Sequence, residues 1–460
     1  MLYRRLIVRL PSMQTMSRRQ LSTSPPPRSQ KRARVDYLTK DDFKNGVFLA
    51  PMVRSGALPT RLFALKHGAT LVWGPEIVDK AILHAKRNVH PDTGVVSYDG
   101  VSRAIFATHP IEKPYLIYQI GSSNPELAVQ AAKVVQEDIA GVDLNCGCPK
   151  PFSTHSGMGA ALLTEPDLLC SILVALREAM PAHITVSAKI RLLPSREDTL
   201  KLVERIVNTG ISNLTVHCRT KSMREKDPAT IERLREIRDF VDAMGKGIAV
   251  TENGDCVSYE DTKRVKDITG ADSVMIARGA ESNPSCFSPT PLTDLTETLI
   301  PDYIRLSRYL DNHWSLTKFC VAQFTGTRIK TTKTGEHATR QAIIASKGYD
   351  GVNEFIGEWS GAEVFKSIRD AIEARPARRA STGNAEMQTE LEMEGDEAKE
   401  PYASSSPISQ PEDGLVTPED TQNPEPPSMT MKLPSVTTRT IPSMISGVDP
   451  LTPTPSVILP

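Results

Sequence analysis

The sequence predicts an α/β fold: a (β/α)8 barrel of the TIM type, followed by a small helical domain and flanked by disordered N- and C-terminal tails. Three observations favour this fold. Short apolar runs alternate with amphipathic helical patterns, and eight such runs occur. The runs and the helical segments between them span about 245 residues, the usual size of such a barrel. A doubly wound parallel sheet is the competing arrangement of the same elements.

The candidate strands are runs of four to seven residues at 47–51, 70–73, 115–121, 142–146, 184–190, 213–217, 247–251 and 273–277. The candidate helices show apolar residues at helical spacing and lie at 59–68, 125–138, 165–180, 196–210, 229–244 and 258–268. Helix-start signals support them, such as Asn124 before Pro125 and Thr164 before Glu165-Pro166. Helices are therefore expected to return the chain between successive parallel strands.

Two parts of the chain depart from this alternation. The connection 74–114 is too long for one helix, and two short β patterns around Asp99-Gly100 predict a hairpin over the barrel mouth. Beyond the last strand only helical patterns occur, and they predict a second unit over 292–375.

Charge is segregated along the chain, although its formal sum is zero. The arm 1–40 carries net charge +9, the Pro/Ser/Thr-rich tail 376–460 carries −8, and 41–375 carries −1. Both end segments hold too little apolar surface to offset the entropy of ordering, so we expect them to be disordered. The expected domains are the arm 1–40, the barrel 41–291, the helical domain 292–375 and the acidic tail 376–460. Within the helical domain, 318–347 carries +5, which suits phosphate contacts or a solvated helix face.

The arm is rich in Arg and Ser and nearly free of acids, as is typical of a mitochondrial transit peptide. A basic disordered arm is the alternative, and KRAR at 31–34 also suits a nuclear address. We therefore expect location in the mitochondrion, or in the cytoplasm and nucleus. No run of 18 apolar residues occurs, so no membrane span is expected. The seven cysteines have irregular spacing, which predicts neither a disulfide framework nor a metal site.

The active site of such a barrel lies at the carboxyl ends of its strands. Those ends carry mostly polar groups: Pro51, Met52, Gln119, Asn145, Cys148, Lys189, Arg191, His217, Asn253, Gly254, Ala277, Arg278 and Gly279. Gly254, Arg278 and Gly279 predict a phosphate site at the last two strands, with ordinary glycine turns as the alternative. Lys189 and His217 would lie near that phosphate, so a phosphorylated heterocycle such as FMN fits the pattern.

Cys148 follows the fourth strand inside the segment NCGCPKPFSTHSGMGAALL. A thiol at a strand end, beside Lys150 and before a Gly/Ser-rich stretch, suits a general acid or a nucleophile. Cys146 is its rival, although it is nearer the strand and more suited to packing.

On these motifs the chain resembles the tRNA-dihydrouridine synthases, and within them the eukaryotic dihydrouridine synthase 2 branch of fungal type. The resemblance runs from about 46 to 372. It rests on LAPMVRSGALPTRLFALKHGA, YQIG, NCGCPKPFSTHSGMGAALL, AKIRLLPSREDTL, VHCR, SVMIARGAESNP and DNHWSLTKFC, in that order.

The resemblance implies an FMN barrel, with NADPH as reductant, that reduces a uridine in the D-loop of tRNA to 5,6-dihydrouridine at position 20. It makes Cys148 the acid that protonates carbon 5 of the base. It assigns flavin contacts to Pro51, Met52, Val53, Gln119, Lys189, His217, Asn253, Gly254, Ala277 and Arg278. Substrate contacts are expected from Asn145, Lys150, Arg191, Arg328, Lys330 and Lys333. tRNA is the expected partner of a monomeric protein without metal.

Three departures from the family pattern bear on these expectations. Cys146 stands where relatives usually have a small residue without a thiol. Asp255 replaces the second glycine of the usual NGG, and its carboxylate would disfavour a phosphate unless it points away. The tail 376–460 lacks the basic, helical character of the double-stranded RNA-binding domain that animal members carry.

Three other functions remain open on the sequence alone. A barrel aldolase would use Lys189 as a Schiff base, and Cys148 would then be incidental. A flavin barrel acting on a small molecule would hold FMN without depending on tRNA. An RNA-binding protein without turnover would bind tRNA whether or not Cys148 is present.

Overall fold

The computed structural model describes residues 37–325, 341–357 and 361–376. Within them the strands are β1 Val47–Leu49, β2 Leu71–Trp73, β3 Ile77–Val78, β4 Lys86–Val89, β5 Val96–Asp99, β6 Ala104–Thr108, β7 Leu116–Gly121, β8 Gly141–Cys146, β9 Thr185–Arg191, β10 Asn213–His217, β11 Ala249–Asn253 and β12 Ser273–Ile276. Eight of these pair in parallel in the order β2-β1-β12-β11-β10-β9-β8-β7, and a pairing of β2 with β7 closes the ring. The predicted barrel is therefore confirmed, and the doubly wound sheet is excluded.

The helices of the barrel follow the predicted segments closely. They are α1 Leu58–Lys66, α2 Asp79–Ile82, α3 Pro125–Val135, α4 Pro151–Thr154, α5 Pro166–Ala179, α6 Arg196–Val207, α7 Arg233–Ala243, α8 Asp261–Thr269 and α9 Arg278–Ser282. Asn124 caps α3 as predicted, since its Oδ1 accepts the Leu127 N–H at 2.8 Å. Thr164 does not cap α5: its hydroxyl donates to the Ala161 carbonyl, and Glu165 occupies the cap position.

The connection 74–114 forms a three-stranded antiparallel sheet, β4-β5-β6, rather than a hairpin alone. The predicted hairpin is confirmed as β5 and β6, joined by a turn in which the Gly100 N–H donates to the Arg103 carbonyl. Sequence patterns missed β4 because its residues, KRNV, are mostly exposed and so lack the apolar alternation of a half-buried strand.

The interior of the barrel is apolar on one side and polar on the other. On the apolar side Phe48, Leu71, Trp73, Ile117 and Met275 belong to one small core. The polar side buries side chains of β8 to β12, namely Asp143, Ser187, Asn213, Thr215, Thr251 and Ser273, which bond to one another or to nearby backbone. The polar side chains therefore extend from the amino ends of β10 and β12, at Asn213 and Ser273, to the middle of β8, at Asp143.

Beyond the barrel the described residues are helical. A π-helix, Leu295–Leu299, leads into α10 Ile300–Tyr309 and is followed by α11 Trp314–Gln323, α12 Asn353–Ile356 and α13 Gly361–Glu373. These helices pack on the barrel: the hydroxyls of Thr60 and Tyr303 lie 2.7 Å apart, and the Arg54 guanidinium lies 3.9 Å from the Phe319 ring centre. Among the described residues, no helix is both long and apolar enough to cross a membrane.

Candidate active site

The turn after β8 holds Cys148 in a fixed position. Asn145 Oδ1 accepts the N–H groups of Gly147 at 2.9 Å and of Cys148 at 3.0 Å. From β9, Arg191 Nε donates to the Gly147 carbonyl at 2.8 Å, and its Nη1 donates to the Thr220 carbonyl at 3.0 Å. Asn145 and Arg191, which were predicted to face the substrate, thus use polar groups to hold the Cys148 turn.

The two thiols of this segment differ in their access to the barrel mouth. Cys146 is fully buried, and its Sγ donates to the Leu144 carbonyl at 3.6 Å. Cys148 is half-buried. Burial raises the pKa of both thiols, and the neighbouring Glu76 carboxyl raises that of Cys148 further. Both thiols are therefore protonated near neutral pH, but only that of Cys148 lies where a ligand reaches it.

A chain of hydrogen bonds joins the interior groups of β7, β8 and β9. Gln119 Nε2 donates to Asp143 at 2.8 Å, and Gln119 Oε1 accepts from Asn145 Nδ2 at 3.3 Å. The Ser187 hydroxyl donates to Asp143 at 2.7 Å. Burial raises the pKa of Asp143 to about 6, while Gln119, Ser187 and Lys189 oppose that rise. Gln119, a predicted flavin contact, is therefore oriented by a buried carboxyl.

A cluster of cations surrounds His217 at the end of β10. Arg219 Nη1 lies 3.3 Å from His217 Nε2, and Lys189, Arg191 and Arg278 also act on the ring. Burial and these charges push the pKa of His217 far below its ordinary value, so the ring is neutral. Burial and Arg191 also lower the pKa of Lys189 to about 8. Cations gathered in a partly buried place are favourable when an anion joins them, so this cluster suits a phosphate.

Asp255 does not point away from the predicted phosphate site. Its carboxylate accepts from Arg278 Nη2 and Arg219 Nη2, and also from the Ala229 N–H at 2.7 Å. Burial opposes its ionisation, but the Ala229 N–H and Arg219 hold the pKa of Asp255 below its ordinary value. Asp255 therefore places a negative charge at the predicted phosphate site, which disfavours a bound phosphate.

The remaining predicted flavin contacts lie at the same end of the barrel. Pro51 and Met52 are partly buried after β1, and Val53 is exposed. Asn253, at the end of β11, is buried, and its Nδ2 donates to the Met275 carbonyl at 2.9 Å. These positions lie at or just beyond the carboxyl ends of β1 and β11.

Gly254 and Ala277 follow β11 and β12 and are partly buried. Gly279 is required for close packing, because a Cβ there would lie 1.9 Å from the Val257 carbonyl oxygen.

Lys150 is exposed one residue before α4. It is therefore free to meet a ligand at the mouth.

Part of the predicted substrate surface lies outside the described residues. Arg328, Lys330 and Lys333 fall in that part of the chain. Of the same basic segment, Lys318 is described, and its Nζ donates to the Ser346 carbonyl at 3.0 Å.

Sequence reasoning missed three charged residues of the site: Glu76, Asp143 and Arg219. Asp143 shares a strand face with Asn145, two residues on, so the period of two along β8 would have found it. Arg219 follows His217 at the same spacing. Glu76 lies three residues beyond β2, the one barrel strand whose end contributed no candidate.

The residues present fit a flavin mononucleotide. The cations around His217 and the glycines after β11 and β12 suit a phosphate, while Gln119 and Lys189 offer polar groups beside it. Asp255 is the one group in this set whose charge opposes the fit.

Comparisons with known proteins identify the family of the chain. The family model for dihydrouridine synthases (Dus) matches residues 48–342. A Schizosaccharomyces pombe protein, tRNA-dihydrouridine(20) synthase [NAD(P)+], is 47% identical over 290 residues, covering 61% of this chain and 60% of that protein. The Saccharomyces cerevisiae protein of the same name is 41% identical over 295 residues, covering 60% of this chain and 76% of that protein.

Among solved structures, morphinone reductase matches over 54% of this chain and 88% of its own, with 11% identity and a TM-score of 0.37. The match to the S. pombe relative spans less than two thirds of that relative's length. The family model, in contrast, covers more than half of this chain and includes every barrel strand except the first residue of β1. The chain therefore belongs to the dihydrouridine synthase family.

Proposed function

We propose that this protein is a tRNA-dihydrouridine synthase that reduces a uridine of the tRNA D-loop, at position 20, to 5,6-dihydrouridine. Family membership supports the reaction, and the names of the two fungal relatives support the position. The observation that carries the proposal is the Cys148 turn, which sets a protonated, accessible thiol at the barrel mouth beside a cation cluster.

We propose FMN as the cofactor and NADPH as the reductant. The cations around His217 would hold the phosphate, and Gln119 and Lys189 would contact the ring system. When bound, the flavin supplies the hydride that carbon 6 of the uracil receives. The other proposed contacts, at Pro51, Met52, Val53, Asn253 and Gly254, line the same mouth.

Cys148 would supply the proton that carbon 5 receives. Because burial and Glu76 raise the pKa of Cys148, the thiol holds its proton until the uracil is bound. Asn145 and Arg191 fix the turn, so the Sγ stays in one place from one turnover to the next.

The uracil must leave its stack to reach this thiol, at a cost of a few kcal/mol that contacts elsewhere on the tRNA would offset. We propose Lys150 and the basic residues Arg328, Lys330 and Lys333 for those contacts. Two further expectations stay predictions: that the protein is a monomer, and that it is located in the mitochondrion or in the cytoplasm and nucleus.

The test is to map dihydrouridine in unmodified tRNA after incubation with the purified protein, FMN and NADPH. Wild-type protein and Cys146→Ala are expected to modify position 20, whereas Cys148→Ala should bind flavin and lose roughly 10²-fold or more in turnover. A Cys148→Ala variant with wild-type turnover would contradict the assignment of the acid. Borohydride trapping of a carbonyl substrate on Lys189, by a protein that binds no flavin, would instead support the aldolase.

A further inference from the structure

Glu76 is a buried carboxyl directly beside the Cys148 thiol. It follows β2, and only 9% of its surface is exposed. Its Oε1 accepts a long hydrogen bond, 3.5 Å, from the Ser153 hydroxyl on α4. Its Oε2 has no hydrogen-bond partner among the described residues. A buried carboxyl oxygen without a partner costs several kcal/mol if it is charged, so a function is the simplest reason for its presence.

The thiol and the carboxyl are neighbours on either side of the Ser153 hydroxyl. Ser153 Oγ donates to Glu76 Oε1 at 3.5 Å, and the same hydroxyl and the Cys148 Cβ would both lie within 3.0 Å of a Cβ built on Gly159. Two glycines give the carboxyl and thiol their space. A Cβ on Gly121 would lie 2.7 Å from Glu76 Oε1, and one on Gly159 would lie 3.0 Å from the Cys148 Cβ.

Each group holds its proton to a higher pH than it would in water, because the pKa of each is raised. Burial raises the pKa of Glu76, while Cys148, Ser153 and Asn145 oppose that rise. Burial and the Glu76 charge raise the pKa of Cys148. Glu76 also raises the pKa of Cys146, the second thiol on this side of the barrel. The ionised carboxyl thus disfavours the thiolate, whereas the thiol favours the ionised carboxyl, and both effects favour transfer of a proton from Glu76 to a Cys148 thiolate.

Glu76 also borders a cavity of about 970 Å³ between the β4-β5-β6 sheet and the turn from α10 to α11. Charged or titratable side chains that line it include Arg54, His90, Asp99, Arg103, Asp311 and His313. A cavity of this size and polarity admits water, so the carboxyl lies between the thiol and a source of protons.

We propose that Glu76 is a relay residue that returns to Cys148 the proton spent in each turnover. The proposal rests on the proposed function. When carbon 5 takes the proton, the S–H bond breaks and its electron pair stays on sulfur as a thiolate. The Glu76 O–H bond then breaks, the S–H bond forms again, and the carboxylate takes a proton from water in the cavity. One solvent proton is consumed for each base reduced.

The first experiment separates the first turnover from later ones in Glu76→Gln. Enzyme with pre-reduced flavin is mixed with unmodified tRNA without NADPH, and steady-state turnover is measured separately with NADPH. The first base should be reduced at about the wild-type rate, because Cys148 already carries its proton. Steady-state turnover should fall roughly tenfold or more, and Glu76→Asp should recover part of the loss. An equal loss in both measurements, or no loss in either, would overturn the relay.

The second experiment needs neither tRNA nor flavin turnover. Iodoacetamide labelling of Cys148 is followed against pH by peptide mass analysis, in the wild type and in Glu76→Gln. Labelling should become severalfold faster at mildly alkaline pH in Glu76→Gln, because the thiolate no longer forms beside a second negative charge. Glu252→Gln, which alters a buried acid elsewhere in the barrel, is the matched control and should leave the profile unchanged. Identical profiles in wild type and Glu76→Gln would overturn the coupling, whereas a shifted profile without dihydrouridine formation would refute only the proposed function.

Discussion

The buried carboxyls of Asp143 and Glu252 differ in their surroundings, although both are fully buried. Asp143 accepts from Gln119 and Ser187, and its pKa is about 6. Neither oxygen of Glu252 has a hydrogen-bond partner among the described residues, and burial and Asp255 raise its pKa to about 8. Hydrogen bonds to the charged form thus decide how far burial raises a pKa. Glu252 is therefore mostly neutral at pH 7.

Replacing Glu252 with Gln should remove a pH dependence of stability. The pKa of Glu252 is higher in the folded chain than its ordinary 4.5, so its contribution is present below pH 4.5 and is lost as pH rises through about 8. Between these values the wild type should lose at most about 1.4 kcal/mol of unfolding free energy per pH unit relative to Glu252→Gln. Urea unfolding of both proteins from pH 5 to about 9 measures this difference. Parallel stability curves would contradict it.

Asp255 should compete with a phosphate for Arg278, since the two already form an ion pair. Asp255→Asn removes the charge and keeps an acceptor for the Arg219 guanidinium. We expect FMN to bind about fivefold more tightly, the equivalent of ~1 kcal/mol for a partly exposed ion pair. Titration followed by flavin fluorescence measures the affinity. Weaker binding would show that Asp255 instead orients Arg278 toward the ligand.

At the scale of elements, the turn between β8 and α4 depends on few bonds. Asn145→Ala removes the acceptor of two N–H groups and should lower turnover by roughly 10- to 100-fold, because misplacing a reacting group by about 1 Å costs that much. Asn124→Ala is the matched control: it removes the cap of α3 and should cost about 1 kcal/mol of stability without altering turnover. Equal effects of the two variants on turnover would contradict a local role for Asn145.

The elements that sequence patterns predicted are those with a continuous apolar run or a regular apolar period. The barrel strands are buried along most of their length, so their apolar runs show clearly, as in Leu116–Gly121. Strand β4 was missed because it is mostly exposed. Glu76 was missed for another reason: a loop position shows no period, and its contact with Cys148 depends on how two distant connections meet above the barrel. Pairing of that kind is set by tertiary packing and leaves no mark on either segment alone.

At the scale of the whole molecule, charge separates the expected RNA surface from the acidic tail. The segment 376–460 carries net charge −8, while 41–375 is near neutral and the arm 1–40 carries +9. A formal net charge of zero therefore does not argue against a polyanionic partner, because sign is unevenly distributed along the chain. The acidic segment should repel the tRNA phosphates over about one Debye length, which is about 10 Å at 0.1 M salt.

Removing residues 376–460 should leave flavin binding and turnover intact, and it should tighten tRNA binding at low salt. The reason is electrostatic: the removed segment carries the negative charge that opposes association, and salt screens that repulsion. tRNA affinity of the full and shortened chains, measured at about 0.05 M and about 0.3 M salt, should differ at the lower value and converge at the higher. Loss of flavin or of folding in the shortened chain would show that the segment belongs to the folded structure. A difference that persists at high salt would show that the segment acts through specific contacts, since long-range repulsion between exposed charges does not survive screening.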